Sequence, residues 1–203
     1  MKNGFEKMRE DFLKNLPQDS IGAELGVMSG KWSKCILEIV RPKELHLIDC
    51  WWTKYGEYFP WMEPGKEASS TVVAYNQALR TVQECDKKKV SVFHVQDDLE
   101  CLKKFKDGYF DWIYIDSSHE YGHTRQELLL SRNKVKEDGI ICGHDWRPNK
   151  LHVHHGVYRA VNEFCASYNY KIVKLDPHWQ WAIKKTNNVL ISPRNFPDGK
   201  SPQ

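Results

Sequence analysis

Ser20-Ile21-Gly22-Ala23-Glu24-Leu25-Gly26-Val27-Met28-Ser29-Gly30, the run 31–40, and then Glu44-Leu45-His46-Leu47-Ile48-Asp49 read as strand, turn, helix and strand. The first strand spans 20–26. In the helix, Trp32, Cys35, Ile36, Ile39 and Val40 recur at i, i+3, i+4, i+7 and i+8, which gives one apolar face. Ser29 is the expected N-cap, and Pro42 stops the helix. The second strand closes on a carboxylate. A strand–helix–strand unit of this kind predicts two parallel strands joined by a right-handed crossover.

The same alternation continues outward. Strands are expected at 90–95, 109–115 and 139–143, and helices at 68–85 and 98–105. Ser117-Ser118-His119-Glu120 fits a capping box opening a helix that buries Leu128 and Leu129. Val157, Ala160, Val161, Phe164, Cys165 and Tyr168 repeat the helical spacing. Segments 170–175 and 179–184, split by Asp176-Pro177-His178, predict a closing antiparallel hairpin. Residues 3–15 read as a short amphipathic helix ended by Pro17, and the tail 192–203 as loose. The predicted fold class is α/β: a Rossmann-like doubly wound sheet, mostly parallel with an antiparallel C-terminal hairpin, and helices on both faces.

A chain of 203 residues is the size of one domain. The expected divisions are an extension at 1–19, a main domain at 20–191 with an insertion at 50–67, and the tail. Thirty Lys and Arg against 27 Asp and Glu, evenly spread, give +3, too little to argue for nucleic acid. No run of 18 apolar residues argues for a membrane span, and the N-terminus lacks the apolar segment of a secretory signal. The six cysteines show no C-x-x-C and sit mostly among apolar neighbours, so free thiols in a reducing, cytoplasmic compartment are expected. Histidine is uneven: six of the nine fall within 119–155.

In a doubly wound sheet the ligand lies beyond the carboxyl ends of the strands, so what each strand ends on is informative. The ends are Glu24-Leu25-Gly26, Asp49, Gln96-Asp97-Asp98, Asp116 and His144-Asp145. Every parallel strand ends at or near a carboxylate, which favours one shared site. Gly26 and Gly30 let backbone approach a ligand at a helix N-terminus. An acid at Glu24 would repel a pyrophosphate and suit an ammonium group. Asp49 stands where an acid accepts ribose hydroxyls. Of Asp97 and Asp98, one is expected to cap the helix at 98–105 and one to take an adenine amino group. Residues 51–61 hold six aromatics (Trp51, Trp52, Tyr55, Tyr58, Phe59, Trp61), suited either to walling a pocket or to a homo-oligomer contact. Basic residues are scarce there, which again disfavours nucleic acid.

Three linked stretches carry a resemblance. They are Tyr114-Ile115-Asp116-Ser117-Ser118-His119-Glu120-Tyr121, Val135-Lys136-Glu137-Asp138-Gly139-Ile140-Ile141-Cys142-Gly143-His144-Asp145-Trp146, and Gly156-Val157-Tyr158-Arg159-Ala160-Val161. Together with Glu24-Leu25-Gly26-(x)3-Gly30, Asp49 and Asp97-Asp98, they resemble class I S-adenosylmethionine-dependent methyltransferases over about 20–185. The similarity is to the small-molecule branch that includes macrolide-sugar O-methyltransferases and cephalosporin-hydroxylase-like proteins. It implies S-adenosylmethionine as cofactor and a small-molecule acceptor. Glu24 with the Gly26–Gly30 turn would hold the methionine end, Asp49 the ribose, and Asp97 or Asp98 the adenine. It also implies a divalent ion at Asp116, His144 and Asp145. Magnesium prefers oxygen ligands, so His144 points either to manganese, iron or zinc, or to a histidine that handles protons without an ion.

A protonated aliphatic hydroxyl is a poor nucleophile and needs a base or a metal. The catalytic candidates are therefore His119, first, then His144, with Asp116. His152, His154 and His155 fit a polar loop as well as a metal tract, and His123 is expected to face solvent. O-methylation of a sugar or natural product is the leading reading. A nicotinamide-dependent oxidoreductase lacks its G-x-G-x-x-G here. A non-catalytic nucleoside-binding module leaves Asp116, His119 and Asp145 without a purpose.

Overall fold

The computed structural model describes residues 10–57, 60–61 and 69–186. In chain order the elements are β1 Ile21–Leu25, α1 Lys31–Ile39, β2 Glu44–Asp49, α2 Trp52–Tyr55, β3 Pro60–Trp61 and β4 Ser69–Ser70. They continue as α3 Thr71–Cys85, β5 Ser91–Val95, α4 Asp98–Lys103, β6 Phe110–Ile115 and α5 Tyr121–Lys134. The last four are β7 Val135–Gly143, α6 His155–Tyr168, β8 Tyr170–Leu175 and β9 Trp181–Lys185.

Seven strands form one sheet in the order β5-β2-β1-β6-β7-β9-β8. The first five are mutually parallel, while β9 runs antiparallel to both β7 and β8. The expected doubly wound sheet is therefore present. The hairpin differs from the simplest version in one respect: the last strand, not the penultimate one, pairs with the parallel sheet.

The sheet is buried on both faces because its strands alternate. Trp112 and Tyr114 of β6 join Ile36 of α1, Ala78 of α3 and Phe12 in one core, while Ile113 and Ile115 join Leu128 of α5, Val161 of α6 and Trp181 in the other. A two-residue side-chain period on a strand puts successive residues on opposite faces. Helices α1 and α3 thus cover one side, and α4, α5 and α6 the other. Among the described residues, no helix is long and apolar enough to cross a membrane.

Several local expectations are corrected. Gly30, with φ +75°, caps α1 in place of Ser29. The left-handed backbone there and a virtual Cβ 2.9 Å from Ala78 Cα exclude any larger residue. The capping box does not form, because Glu120 is the N-cap of α5 and Ser117 Oγ instead donates to Glu127 Oε1 at 2.6 Å. Strand β7 begins at Val135, directly after α5, rather than at 139. The described end of the N-terminal helix is α-helical at Glu10 and Asp11 and tightens to a 3-10 turn, Phe12–Asn15, with Phe12 and Leu13 buried. Residues 1–9 and the tail 192–203 lie outside the described residues. The six cysteines are free thiols, as expected.

Candidate active site

The carboxyl ends of β1, β2, β6 and β7 meet at the topological switch between β1 and β6. A cavity of about 900 Å3 opens there, and Glu24, Asp49, Asp97, Asp98, Asp116 and His119 are in its wall. Gly26 and Ser29 also line it, whereas Gly30 does not. Gly26 has φ +85°, and a Cβ on it would lie 2.2 Å from the Asp116 carbonyl oxygen, so the β1 turn and the β6 turn touch through backbone alone.

Asp49 is buried and organises the turn after β1. Its Oδ2 accepts from the Val27 and Met28 N–H groups at 2.8 Å each, and its Oδ1 from Trp51 N–H at 3.1 Å. Burial raises the Asp49 carboxyl above its ordinary value, against the pull of those three N–H groups. Trp51, with φ +36°, turns its ring inward and donates from Nε1 to the Met28 carbonyl at 3.0 Å. It is fully buried against Tyr75 and Phe93. The aromatic run therefore begins with a core residue rather than a surface one. Tyr55 is partly exposed and lines the cavity; the side chains of Tyr58, Phe59 and Trp61 lie outside the described residues. Glu24 is buried, and its Oε2 accepts from Ser33 Oγ at 2.5 Å.

Asp97 is the N-cap of α4, accepting from the Leu99 and Glu100 N–H groups. Asp98 instead meets His123 Nε2 at 2.9 and 3.0 Å. The expectation that His123 faces solvent is corrected: only 15% of its side chain is exposed. Burial pushes the Asp98 carboxyl up, and the hydrogen bond and charge of His123 outweigh that and hold it below the usual range. The same bond raises His123. Behind them Glu127 is wholly buried, and burial with the neighbouring Asp98 raises it well above an ordinary glutamate.

The other end of the cleft is a knot of imidazoles and carboxylates. His119 Nε2 lies 3.0 Å from Asp116 Oδ1 and 3.2 Å from Asp145 Oδ2. His144 Nδ1 lies 3.7 Å from Asp116 Oδ1 and 3.3 Å from Asp145 Oδ2. The residue that sequence reasoning undervalued is His154, whose Nδ1 is 3.0 Å from Asp145 Oδ2 and whose ring stacks on His119 at 4.4 Å. Arg147 Nε donates to Asp145 Oδ1 at 3.0 Å. The signal for His154 was its place just before a helix in Leu151-His152-Val153-His154-His155, but nothing local shows that it folds back on β7. His155 faces elsewhere, with Nδ1 donating to the Arg147 carbonyl at 2.9 Å.

Both His119 and Asp145 have left-handed backbone, φ +62° and +59°. Such conformations in non-glycine residues concentrate at functional sites. Burial raises the Asp145 carboxyl, but His144, with His119 and His154 behind it, holds it well below the usual carboxylate range. Burial lowers His119, and the hydrogen bond and charge of Asp116 outweigh it and raise the imidazole. Asp116, His144 and Asp145 come together as the resemblance implies, with ligand atoms close enough to share one ion. Magnesium does not fit this set well, since three imidazole nitrogens surround the two carboxylates.

Comparison with known proteins gives the family. A family model described as "Methyltransferase domain" matches residues 23–146, more than half of the chain. A polyamine aminopropyltransferase of Prochlorococcus marinus is 26% identical over 119 residues, covering 53% of this chain and 41% of the relative. The chain thus spans about two fifths of that relative's length. Among solved structures, the O-methyltransferase TomG from Streptomyces achromogenes, involved in tomaymycin synthesis and in complex with SAM, superposes with TM-score 0.62. The match has 11% identity and covers 90% of this chain and 79% of that one. Spermidine synthase from Thermotoga maritima gives TM-score 0.54 at 15% identity, over 89% of this chain and 57% of that one. At these identities the two structures establish the fold. With the strand order, the switch-point cavity and the family match taken together, the chain belongs to the class I S-adenosylmethionine-dependent methyltransferases.

Proposed function

We propose that the chain transfers a methyl group from S-adenosylmethionine to a hydroxyl oxygen of a small molecule, such as a sugar or a natural product. One observation carries this reading: a single cavity is lined both by the acids Glu24, Asp49 and Asp98 and by the Asp116–His119 pair. The acids suit an amino acid and a nucleoside, and the pair suits a reacting hydroxyl. Glu24 offers a buried carboxylate to an ammonium group. Asp49 Oδ1 accepts one N–H and keeps acceptor capacity for a ribose hydroxyl. Asp97 or Asp98 would take an adenine amino group: Asp97 caps its helix through Oδ1 alone, and Asp98 is held by His123 beside it.

The sulfonium cofactor supplies a good leaving group, so the protein's work is to align the acceptor and take its proton. His119 is the imidazole of the knot that lines the cavity, and Asp116 orients it through Nε2. Proton removal falls to this pair directly, or to charge assistance from an ion held by the knot.

Titration calorimetry tests the reading: S-adenosylmethionine or S-adenosylhomocysteine should bind with micromolar-range affinity and NAD should not. The reverse result overturns it. A labelled-methyl screen over hydroxylated metabolites then finds the acceptor, with aminopropyl transfer to a polyamine as the control that the Prochlorococcus relative sets.

A further inference from the structure

Three imidazole nitrogens converge on one carboxylate oxygen. His154 Nδ1, His119 Nε2 and His144 Nδ1 lie 3.0, 3.2 and 3.3 Å from Asp145 Oδ2, while Arg147 occupies Oδ1. A carboxylate oxygen has about two lone-pair directions, so it cannot accept from all three nitrogens at once. His144 narrows the choice further. Its Nε2 donates to the His178 carbonyl at 3.0 Å, so in the neutral ring Nδ1 is a lone pair aimed among the carboxylates. His154 Nδ1 is buried and, despite its closeness to Asp145, makes no hydrogen bond of acceptable alignment. Electron pairs pointed at one another in a buried spot need a positive charge between them, a proton or a metal ion, and the unpartnered His154 Nδ1 is the nitrogen to which a metal ion would give a role.

The spacing agrees. Donor atoms about 2.1 Å from a shared ion, the usual distance for imidazole and carboxylate on zinc, lie about 3.0–3.5 Å apart as neighbours around it. The His119 and His154 nitrogens lie 3.2 and 3.0 Å from Asp145 Oδ2. We infer that His119, His154 and Asp145, whose ligand atoms all lie within 4.8 Å of one another, form a site for one divalent transition-metal ion of the zinc class, with Asp116 and His144 at its edge. The donor set differs from the Asp116, His144 and Asp145 trio that the resemblance implies. It uses two other imidazoles, His119 and, from the loop before α6, His154, in place of Asp116 and His144, and so selects a borderline-soft ion over magnesium. An ion there supplies the positive charge against which an acceptor hydroxyl gives up its proton. This deepens the methyl-transfer reading of the same site and rests on it for its purpose, but not for its test.

The test reads metal alone, without S-adenosylmethionine. The full chain is stripped with a chelator, then titrated with Zn2+ against a chromophoric competitor, with Co2+ followed by its visible absorption, and with Mg2+ for contrast. The expected result is one zinc per chain, bound at least about 100-fold more tightly than magnesium. His154→Ala should weaken zinc by at least about 10-fold and shift the cobalt bands, whereas His155→Ala should change affinity by less than about twofold. His154→Asn serves as the second variant, and circular dichroism melting confirms that each is folded. Zinc binding below one per chain, binding no tighter than magnesium, or a His154 variant within about twofold of the parent overturns the inference. Cofactor calorimetry in chelator is scored separately, so either reading can fail while the other stands.

Discussion

Two strand-end aspartates, Asp49 and Asp145, are almost equally buried, at 7% and 6% exposed, and titrate in opposite directions. Asp49 is held by three backbone N–H groups from the turns it joins, and burial still raises it. Asp145 is surrounded by side chains, three imidazoles and a guanidinium, and they hold it down. The difference separates scaffold from working part. Backbone donors cannot leave without unmaking the turn, whereas imidazoles can release a carboxylate and take up a ligand. One end of the cleft is built by the fold, and the other is furnished by side chains placed on it.

The largest expected effect breaks this comparison at its scaffold end. Asp49→Ala strands three N–H donors, two of them buried and one part-buried, each worth about 1–3 kcal/mol when left unpaired, so chemical denaturation should show a loss of about 3–9 kcal/mol. Cofactor binding should disappear with it. Asp145→Ala, the same substitution at the furnished end, should cost only about 1–2 kcal/mol, because Arg147 and the imidazoles can turn to water. Turnover should nevertheless fall at least about 100-fold while cofactor affinity holds. Equal destabilisation by the two variants would mean that the distinction between scaffold and furnishing is false. Trp51→Phe keeps the ring contacts but leaves the Met28 carbonyl without its donor, for about 1 kcal/mol by thermal melting.

The smallest effect sharpens the comparison at a third carboxylate. Asp98 is paired by a side chain, as Asp145 is. His123 is raised, so its contribution to stability is full below the unfolded value of about 6.5 and is lost as pH rises through the folded value. Asp98 is lowered, so its share is present above about 3.9 and is lost as pH falls through its folded value. His123→Gln should cost about 1 kcal/mol near pH 6 and flatten the fall in melting temperature between pH 6 and 8.5. An unchanged slope would assign that fall to other groups.

The sequence reading reached further into the scaffold than into the furnishing, for a physical reason. Strand periods, the switch-point turn and the carboxylates after each strand are local properties, and Glu24, Asp49, Asp98, Asp116 and Asp145 all stand where the strand ends predict. Contacts made across the chain were hidden. His154 reaches His119 only because the loop after β7 folds back, and His123 meets Asp98 across two helices. Ser117 carries a capping signal in its local sequence, yet a buried glutamate ten residues on takes its hydroxyl. Trp51 reads as part of an aromatic surface because nothing local announces the backbone turn that buries it.

The placement of β9 has a consequence for the order in which the protein comes into being. His144 is fixed from the far end of the chain: Trp181 Nε1 donates to its carbonyl at 2.9 Å, and the His178 carbonyl receives its Nε2–H. Trp146 N–H likewise donates to the Trp179 carbonyl at 2.8 Å. During synthesis the cofactor turns of β1 and β2 can settle once β6 has emerged from the ribosome. The knot of imidazoles and carboxylates waits for β9, so a nascent chain would form the turns after β1 and β2 before the surroundings of His144.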